Sequence, residues 1–215
     1  MSTVERYLPA LDSGALLSWA AVVNAEVLAT LAYVVATPSV PTDPLAYVYP
    51  WVWLNAAGWA VYTTRPAPSS RRTRALAAIG GVAYFAVVGY AGGLFHLTGA
   101  GLGFAVHWLP PGWGPAVTYS ASGFTLVLLP FKVVGYAALA YLVAVTVVDA
   151  SASALSGLLG LVSCVSCTWP VLATIVTGAF GSASALTALA TTRAYGLSTV
   201  VFVASVLLLR WRPRL

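Results

Sequence analysis

The feature that most constrains this chain is how little charge it carries. Residues 151–192 contain no Asp, Glu, Lys or Arg. Over the whole chain, charged residues make up 7% and hydrophobic residues 60%, whereas a soluble domain typically has about 25% charged residues. Because so few charges cannot cover a surface that faces water, we expect the chain to fold within a lipid bilayer, in the cell membrane.

A helix needs about 20 apolar residues to cross a bilayer, and the sequence offers seven such segments. We therefore predict an all-α fold, a polytopic transmembrane helix bundle in which residues 1–215 form a single integral membrane domain. The alternative is six spans plus a re-entrant half-helix at 164–170. A Gly-, Pro- and aromatic-rich stretch, 98–122, is predicted as a loop on the outer membrane interface. The predicted segments are 15–37, 45–64, 74–97, 123–148, 150–167, 169–190 and 195–211.

The basic residues predict the orientation of these segments. Seven of the ten lie in two clusters, four within 65–74 and the others at Arg210, Arg212 and Arg214. Such clusters flank spans and favour the cytoplasmic side, so they indicate no nucleic-acid partner. The 65–74 loop places the N-terminus in the cytoplasm. Seven crossings then place the C-terminal arginines outside, which conflicts with the same rule, and six crossings remove the conflict.

Glycines recur on the third segment at Gly81, Gly89 and Gly93. Small residues at such spacing let two helices approach closely within a membrane. We interpret this face as a packing surface within one bundle.

Four polar side chains interrupt the apolar segments. Glu26 and its neighbour Asn24 lie in the first segment, Asn55 in the second and Lys132 in the fourth. A charge at the bilayer centre costs roughly 2.5–3.5 kcal/mol on insertion scales, and such residues are functional candidates by default. Two interpretations of Glu26 and Lys132 stay open: an ion pair that joins two helices, or a proton or ligand site. Asn55 is predicted to donate an interhelical hydrogen bond.

The two cysteines, Cys164 and Cys167, are three residues apart. On a helix this spacing puts both sulfurs on one face, so the pair could be a catalytic dithiol or a soft site for Cu(I). Zinc fits less well because it prefers four ligands. His96 and His107 are expected near the outer face, as auxiliary copper ligands or as interfacial anchors. The alternative for the cysteines is two small buried residues.

The segments Ser163–Pro170 and Pro130–Lys132 resemble a family of multi-span membrane proteins from halophilic archaea. That resemblance implies copper or thiol handling, because such proteins tend to accompany haem–copper oxidase and oxidase-assembly genes. The Ser-Cys-x-x-Cys-x-x-Pro pattern is more weakly similar to CcdA/DsbD-type thiol carriers and to disulfide generators of the vitamin K epoxide reductase type. The former place their two cysteines on separate helices, and the latter add a second cysteine pair that this chain lacks.

Three functions follow from these residues. The first is thiol redox or Cu(I) handling through Cys164 and Cys167, with copper as the expected cofactor and oxidase assembly as the setting. The second is a non-enzymatic accessory subunit of a respiratory oxidase or another membrane complex. The third is a small proton-coupled transporter that uses Glu26 and Lys132. The sequence contains no recognisable hydrolase, nucleotide-binding or zinc-protease motif, and it leaves open whether the protein is an enzyme.

Overall fold

The computed structural model describes residues 13–37, 44–97, 101–151 and 185–210. It divides the chain into two compact units, Met1–Val40 and Pro41–Leu215. The first unit contributes helix α1 (Ser13–Ala36), whose apolar side chains are exposed along its length.

The described part of the second unit combines helices with a β-sheet. Its four strands pair antiparallel in the order β1-β4-β3-β2. In chain order the elements are α2 (Leu45–Thr63), α3 (Arg71–Ala91), β1 (Phe95–His96), β2 (Gly103–His107), β3 (Ala116–Ala121), β4 (Phe124–Leu128), α4 (Pro130–Ser151) and α5 (Ala185–Arg210).

The all-α, seven-segment prediction is therefore wrong. The described residues form a mixed α and β structure of five helices and a four-stranded sheet. Three of these helices contain a stretch long and apolar enough to cross a membrane. These stretches are Leu16–Ala36, Arg71–Ala91 and Pro130–Asp149.

The sheet arises where the sequence suggested a loop. Strands β3 and β4 are joined by two residues, 122 and 123, with Ala121 opposite Phe124. Gly123 has a φ of +81°, which a residue without a Cβ adopts readily. Two-residue connections of this kind fix the register of a hairpin. The glycines and prolines of 110–115 thus lie in the connection between β2 and β3, whereas Gly103 is part of β2.

The predicted third and fourth segments each combine a strand with a helix. Helix α3 ends at Ala91, and Gly93 follows with a φ of +77°. Helix α4 begins at Pro130, where the missing N–H costs nothing because the first helical N–H groups have no partner within the helix. Pro130 therefore starts a helix inside the predicted fourth segment, 123–148.

Contacts between the helices define two ends of the second unit. At the arginine end, the α2–α3 connection (64–70) meets Asp149, and Arg210 lies over the Trp59 ring. At the sheet end, the sheet adjoins the last residues of α3 and the first turn of α4. Arg210 is thus at the same end as the 65–74 cluster, so the orientation conflict raised by the sequence does not arise for Arg210.

Helices α2, α4 and α5 run from the sheet end towards the arginine end, and α3 runs the opposite way. Residue Gly196 of α5 lies near Tyr49 in the first turns of α2, while Arg210 reaches Trp59 near the other end of α2. Helix α4 therefore ends at the arginine end, and α5 is parallel to it. Most of the predicted segments 150–167 and 169–190 lies within residues 152–184, which are outside the described residues.

Trp53 lies at the centre of the helix packing. Its ring stacks on Phe202 with centroids 3.9 Å apart, and Phe131 and Tyr136 meet it edge-on. A Cβ at Gly135 would lie 2.4 Å from the Trp53 ring, so glycine is the residue that admits the indole here. No charged side chain belongs to the buried cluster around Trp53 that the described residues form.

Candidate functional site

The cysteine pair lies outside the described residues. Cys164 and Cys167, and the proposed re-entrant segment at 164–170, fall within 152–184, so their roles stay predictions. Within the described ranges, no group of three His, Cys, Asp or Glu side chains is placed to hold a metal ion.

The sheet separates the two histidines. His96 is on β1 and His107 on β2, which are the two edge strands. Three strand spacings of about 4.8 Å separate the backbones of these two strands by roughly 14 Å. The role of either histidine in metal binding stays a prediction. His107 Nε2 lies 3.1 Å from the Thr118 hydroxyl oxygen, which gives this imidazole a cross-strand role.

Lys132 lies at the sheet end, in the first turn of α4, and not at mid-helix as the sequence suggested. Its Nζ donates a hydrogen bond of 3.0 Å to the carbonyl oxygen of Gly92, the residue that caps the C-terminus of α3. A cation is favoured there because the last carbonyls of a helix carry partial negative charge. The ammonium group thus ties the start of α4 to the end of α3.

The other predicted polar residues lie on α1 and α2. Glu26 is half-buried on α1, in the first unit. Asn24 donates to the carbonyl oxygen of Ala20, 2.8 Å away on its own helix. Asn55 is half-buried on α2. The Glu26–Lys132 pair and the interhelical bond of Asn55 stay predictions.

The glycines of α3 have separate roles. A Cβ at Gly81 would lie 3.0 Å from the Ala140 carbonyl oxygen, so this glycine allows α3 and α4 to approach closely. Gly89 makes room for the Phe95 ring. Gly93 follows the end of the helix. Only the first of the three has the helix-packing role expected from the sequence.

The arginine end is joined by contacts that sequence reasoning missed. The Asp149 carboxylate accepts a hydrogen bond of 3.0 Å from the Ala67 N–H, and the Tyr141 hydroxyl donates to the Thr64 carbonyl oxygen at 2.9 Å. Both bonds attach the α2–α3 connection to the last turns of α4. The signal available in the sequence was Asp149 itself, an isolated carboxylate at the end of an apolar segment.

At the sheet end, an apolar row crosses the sheet. Directly opposed residues share a face, so Phe95, Leu126, Tyr119 and Phe104 form one continuous row. Phe95 packs near Gly89, whereas Phe104 at the far end is 68% exposed.

Strand β2 is the outer edge of this sheet. All five of its residues are exposed, and no described strand pairs with its outer side. Natural edge strands are usually blunted by a charge, a proline or a bulge. The sequence of β2, Gly-Phe-Ala-Val-His, contains no proline and no Lys, Arg, Asp or Glu. The strand is therefore able to pair with another extended segment.

Comparison with known proteins gives a family without an assigned activity. No curated protein and no solved structure matches this chain. One family model matches all of residues 1–215. The chain therefore belongs to a family of unknown function, DUF7546.

Proposed function

We propose that this chain is an integral membrane protein that acts as a non-enzymatic accessory subunit of a larger membrane complex. The observation that carries the proposal is the open, uncharged edge of β2. An extended segment of another subunit adds to such an edge through main-chain hydrogen bonds, and its side chains then select the partner. A respiratory oxidase is one complex of this kind, as the family resemblance suggests.

The closed interior supports an accessory role over a transport role. Trp53, Phe131 and Phe202 fill the space between the helices, and Gly135 lets them meet closely. The charged groups whose contacts are described in this unit lie at its two ends. A pathway for a polar solute needs polar side chains along its length. In the described part of the chain, the buried cluster around Trp53 has no charged side chain, and the buried Thr199 hydroxyl beside it accepts a hydrogen bond from the indole N–H of Trp53.

The charge distribution supports a membrane orientation for the second unit. Arginine clusters favour the cytoplasmic side, so we place the arginine end in the cytoplasm. The sheet end then faces the outside. An open sheet edge is not tolerated within the hydrocarbon core, because its N–H and C=O groups would find no partner. We therefore place β2 at or above the outer headgroups, where another subunit can reach it.

The test uses the exposed side chain at the free end of the apolar row. A Phe104→Lys variant adds a charge to β2 without removing a main-chain donor. We expect a stoichiometric partner to copurify with the wild-type chain in mild detergent and to be lost from this variant. A photo-crosslinking residue at position 106 should attach to the same partner, which maps the contact to β2.

The matched control is Pro68→Lys, which adds the same charge to an exposed position at the arginine end. It should retain the partner, and both variants should unfold at the wild-type temperature. A chain that purifies alone and monodisperse, or a partner that stays bound to Phe104→Lys, contradicts the proposal.

A second candidate function rests on the cysteine pair. Two cysteines three residues apart, with none elsewhere in the chain, favour thiol redox or Cu(I) handling at Cys164 and Cys167. Cys164→Ser and Cys167→Ser should each abolish Cu(I) binding or thiol exchange. Thiol labelling from each side of sealed vesicles, with and without reductant, reports the side and redox state of the pair. Full activity of the double serine variant excludes this candidate.

A further inference from the structure

Five arginines of the second unit have described side chains, and all five lie at the arginine end. One follows the C-terminus of α2, three occupy the first turn of α3, and one ends α5. These elements come from distant parts of the sequence, so the cluster is a product of the fold. Its members are Arg65, Arg71, Arg72, Arg74 and Arg210.

The position of three of these arginines is unfavourable for α3 by itself. The N-terminus of a helix carries partial positive charge, so a cation in the first turn is destabilising and an acidic residue is preferred. Helix α3 has no acidic residue in that turn. The Ser70 hydroxyl caps this helix, because its oxygen accepts a hydrogen bond of 3.1 Å from the Thr73 N–H. An anion outside the helix would offset this unfavourable interaction.

The described residues do not supply that anion. No ion pair joins Arg65, Arg71, Arg72 or Arg74 to another described residue. All four side chains are exposed. The described carboxylate at this end, Asp149, accepts a hydrogen bond from the Ala67 N–H. These four guanidinium groups are therefore accessible to an anion from the surroundings of the protein.

Aromatic side chains at the same level indicate what those surroundings are. Tyr62 is 78% exposed in the last turn of α2, and the Arg210 guanidinium carbon lies 3.8 Å from the centroid of the Trp59 ring. Tyrosine and tryptophan are enriched where a membrane protein passes through the headgroup layer. Arginine side chains at that level reach the lipid phosphates with their charged ends.

We propose that the arginine end binds the phosphate groups of anionic phospholipids, with Arg71, Arg72 and Arg74 as the main contacts. The proposal rests on the membrane placement proposed above. Guanidinium groups suit phosphate because their planar donors can form two parallel hydrogen bonds to it. Each basic residue near a membrane surface adds attraction to anionic lipid that is screened by salt.

The test compares three proteins: the wild-type chain, a variant with Arg71, Arg72 and Arg74 all changed to Gln, and a variant with the same three changed to Lys. Each purified full-length protein is titrated with phosphatidylglycerol and with phosphatidylcholine, and bound lipid is counted by native mass spectrometry. We expect the wild type to prefer phosphatidylglycerol and the Gln variant to bind it roughly 100-fold more weakly. The Lys variant should keep most of the preference because it keeps the charge.

Three results would overturn the proposal. They are equal binding of both lipids by the wild type, an undiminished preference in the Gln variant, and competition by inorganic phosphate at matched ionic strength that abolishes the preference. Flotation with vesicles made only of phosphatidylcholine tests the membrane placement separately. A chain that floats with those vesicles but shows no preference contradicts only the lipid site, whereas a chain that does not float contradicts both proposals.

Discussion

The cluster around Trp53 and strand β2 are both uncharged and aromatic, yet they differ fully in exposure. Trp53 is 3% exposed and contacts rings from α4 and α5, whereas Phe104 is 68% exposed at the edge of the sheet. The difference lies in the neighbours that the fold provides. Trp53 faces a glycine on the adjacent helix, and Phe104 belongs to a strand with a neighbour on one side only.

The contrast shows that an apolar composition indicates the solvent in which a chain folds, but does not indicate which side chains contact one another. A side chain in the interior contributes to stability through packing, which is sensitive to a change of a single methyl group. A side chain on an open edge contributes little to the stability of its own chain and remains available to a partner. Substitutions in the two regions should therefore have very different effects on stability.

The largest effect is expected for Trp53→Ala. The change removes the stack on Phe202 and the edge-on contacts with Phe131 and Tyr136, and leaves a cavity at the centre of the helices. Truncation of a buried Trp typically costs about 3–5 kcal/mol. The free energy of unfolding, measured by SDS titration in mixed micelles with far-ultraviolet circular dichroism, should fall by that amount. A loss below about 1 kcal/mol would mean that Trp53 is not central to the packing.

A smaller but specific loss is expected for Gly135→Ala. The added Cβ would lie 2.4 Å from the Trp53 ring and 3.2 Å from Phe202, so the rings must move. Overpacking of this kind costs about 1–3 kcal/mol. The control is Gly58→Ala on α2, where a Cβ meets nothing within 4 Å. Because Ala favours a helix over Gly by about 1 kcal/mol, the control should be neutral or stabilised in the same titration.

The sequence predicts features that depend on neighbouring residues better than features that depend on residues far apart along the chain. The second predicted segment, 45–64, closely matches α2 (Leu45–Thr63), because helix length and apolar composition are local properties. The stretch 98–122 was misinterpreted because its strands are short and separated by glycines and prolines, which composition alone reads as loop. The pairing of these strands, such as Phe104 with Tyr119, depends on their register. The sequence has no charged residues in these strands that would indicate which residues pair.

The candidate site shows the same limit. Lys132 was expected inside a span because 123–148 is uniformly apolar, and only the strand before Pro130 moves it to a helix start. His96 and His107 lie on opposite edges of the sheet, a separation that the sequence alone does not predict. Residues far apart in the sequence could not be paired from composition.

A more moderate effect is expected for Thr199→Val. The Trp53 indole N–H donates to the Thr199 hydroxyl oxygen at 3.0 Å in a buried setting. Valine has nearly the same shape but no acceptor, so the indole N–H is left without this bond at a cost of about 1–3 kcal/mol. The matched control is Ser205→Ala on the same helix. The Ser205 hydroxyl is also buried but donates to a carbonyl of its own helix, that of Val201, so its loss should cost clearly less. Equal losses would mean that the Trp53–Thr199 bond contributes nothing specific.

The smallest effect is expected for Phe104→Ala. This side chain is exposed on an edge strand, and surface substitutions of this kind usually change stability by less than about 0.5 kcal/mol. The cross-strand contact with Tyr119 is lost, which accounts for a few tenths of a kcal/mol. In the isolated chain the free energy of unfolding should therefore stay close to the wild-type value.

If the partner proposed above binds at β2, the same substitution should weaken copurification while leaving the isolated chain stable. A loss as large as that of Trp53→Ala in the isolated chain would show that Phe104 is already buried, either by another part of this protein or by a second copy. The open edge would then be an internal contact, and the distinction between a packed centre and an available edge would not hold.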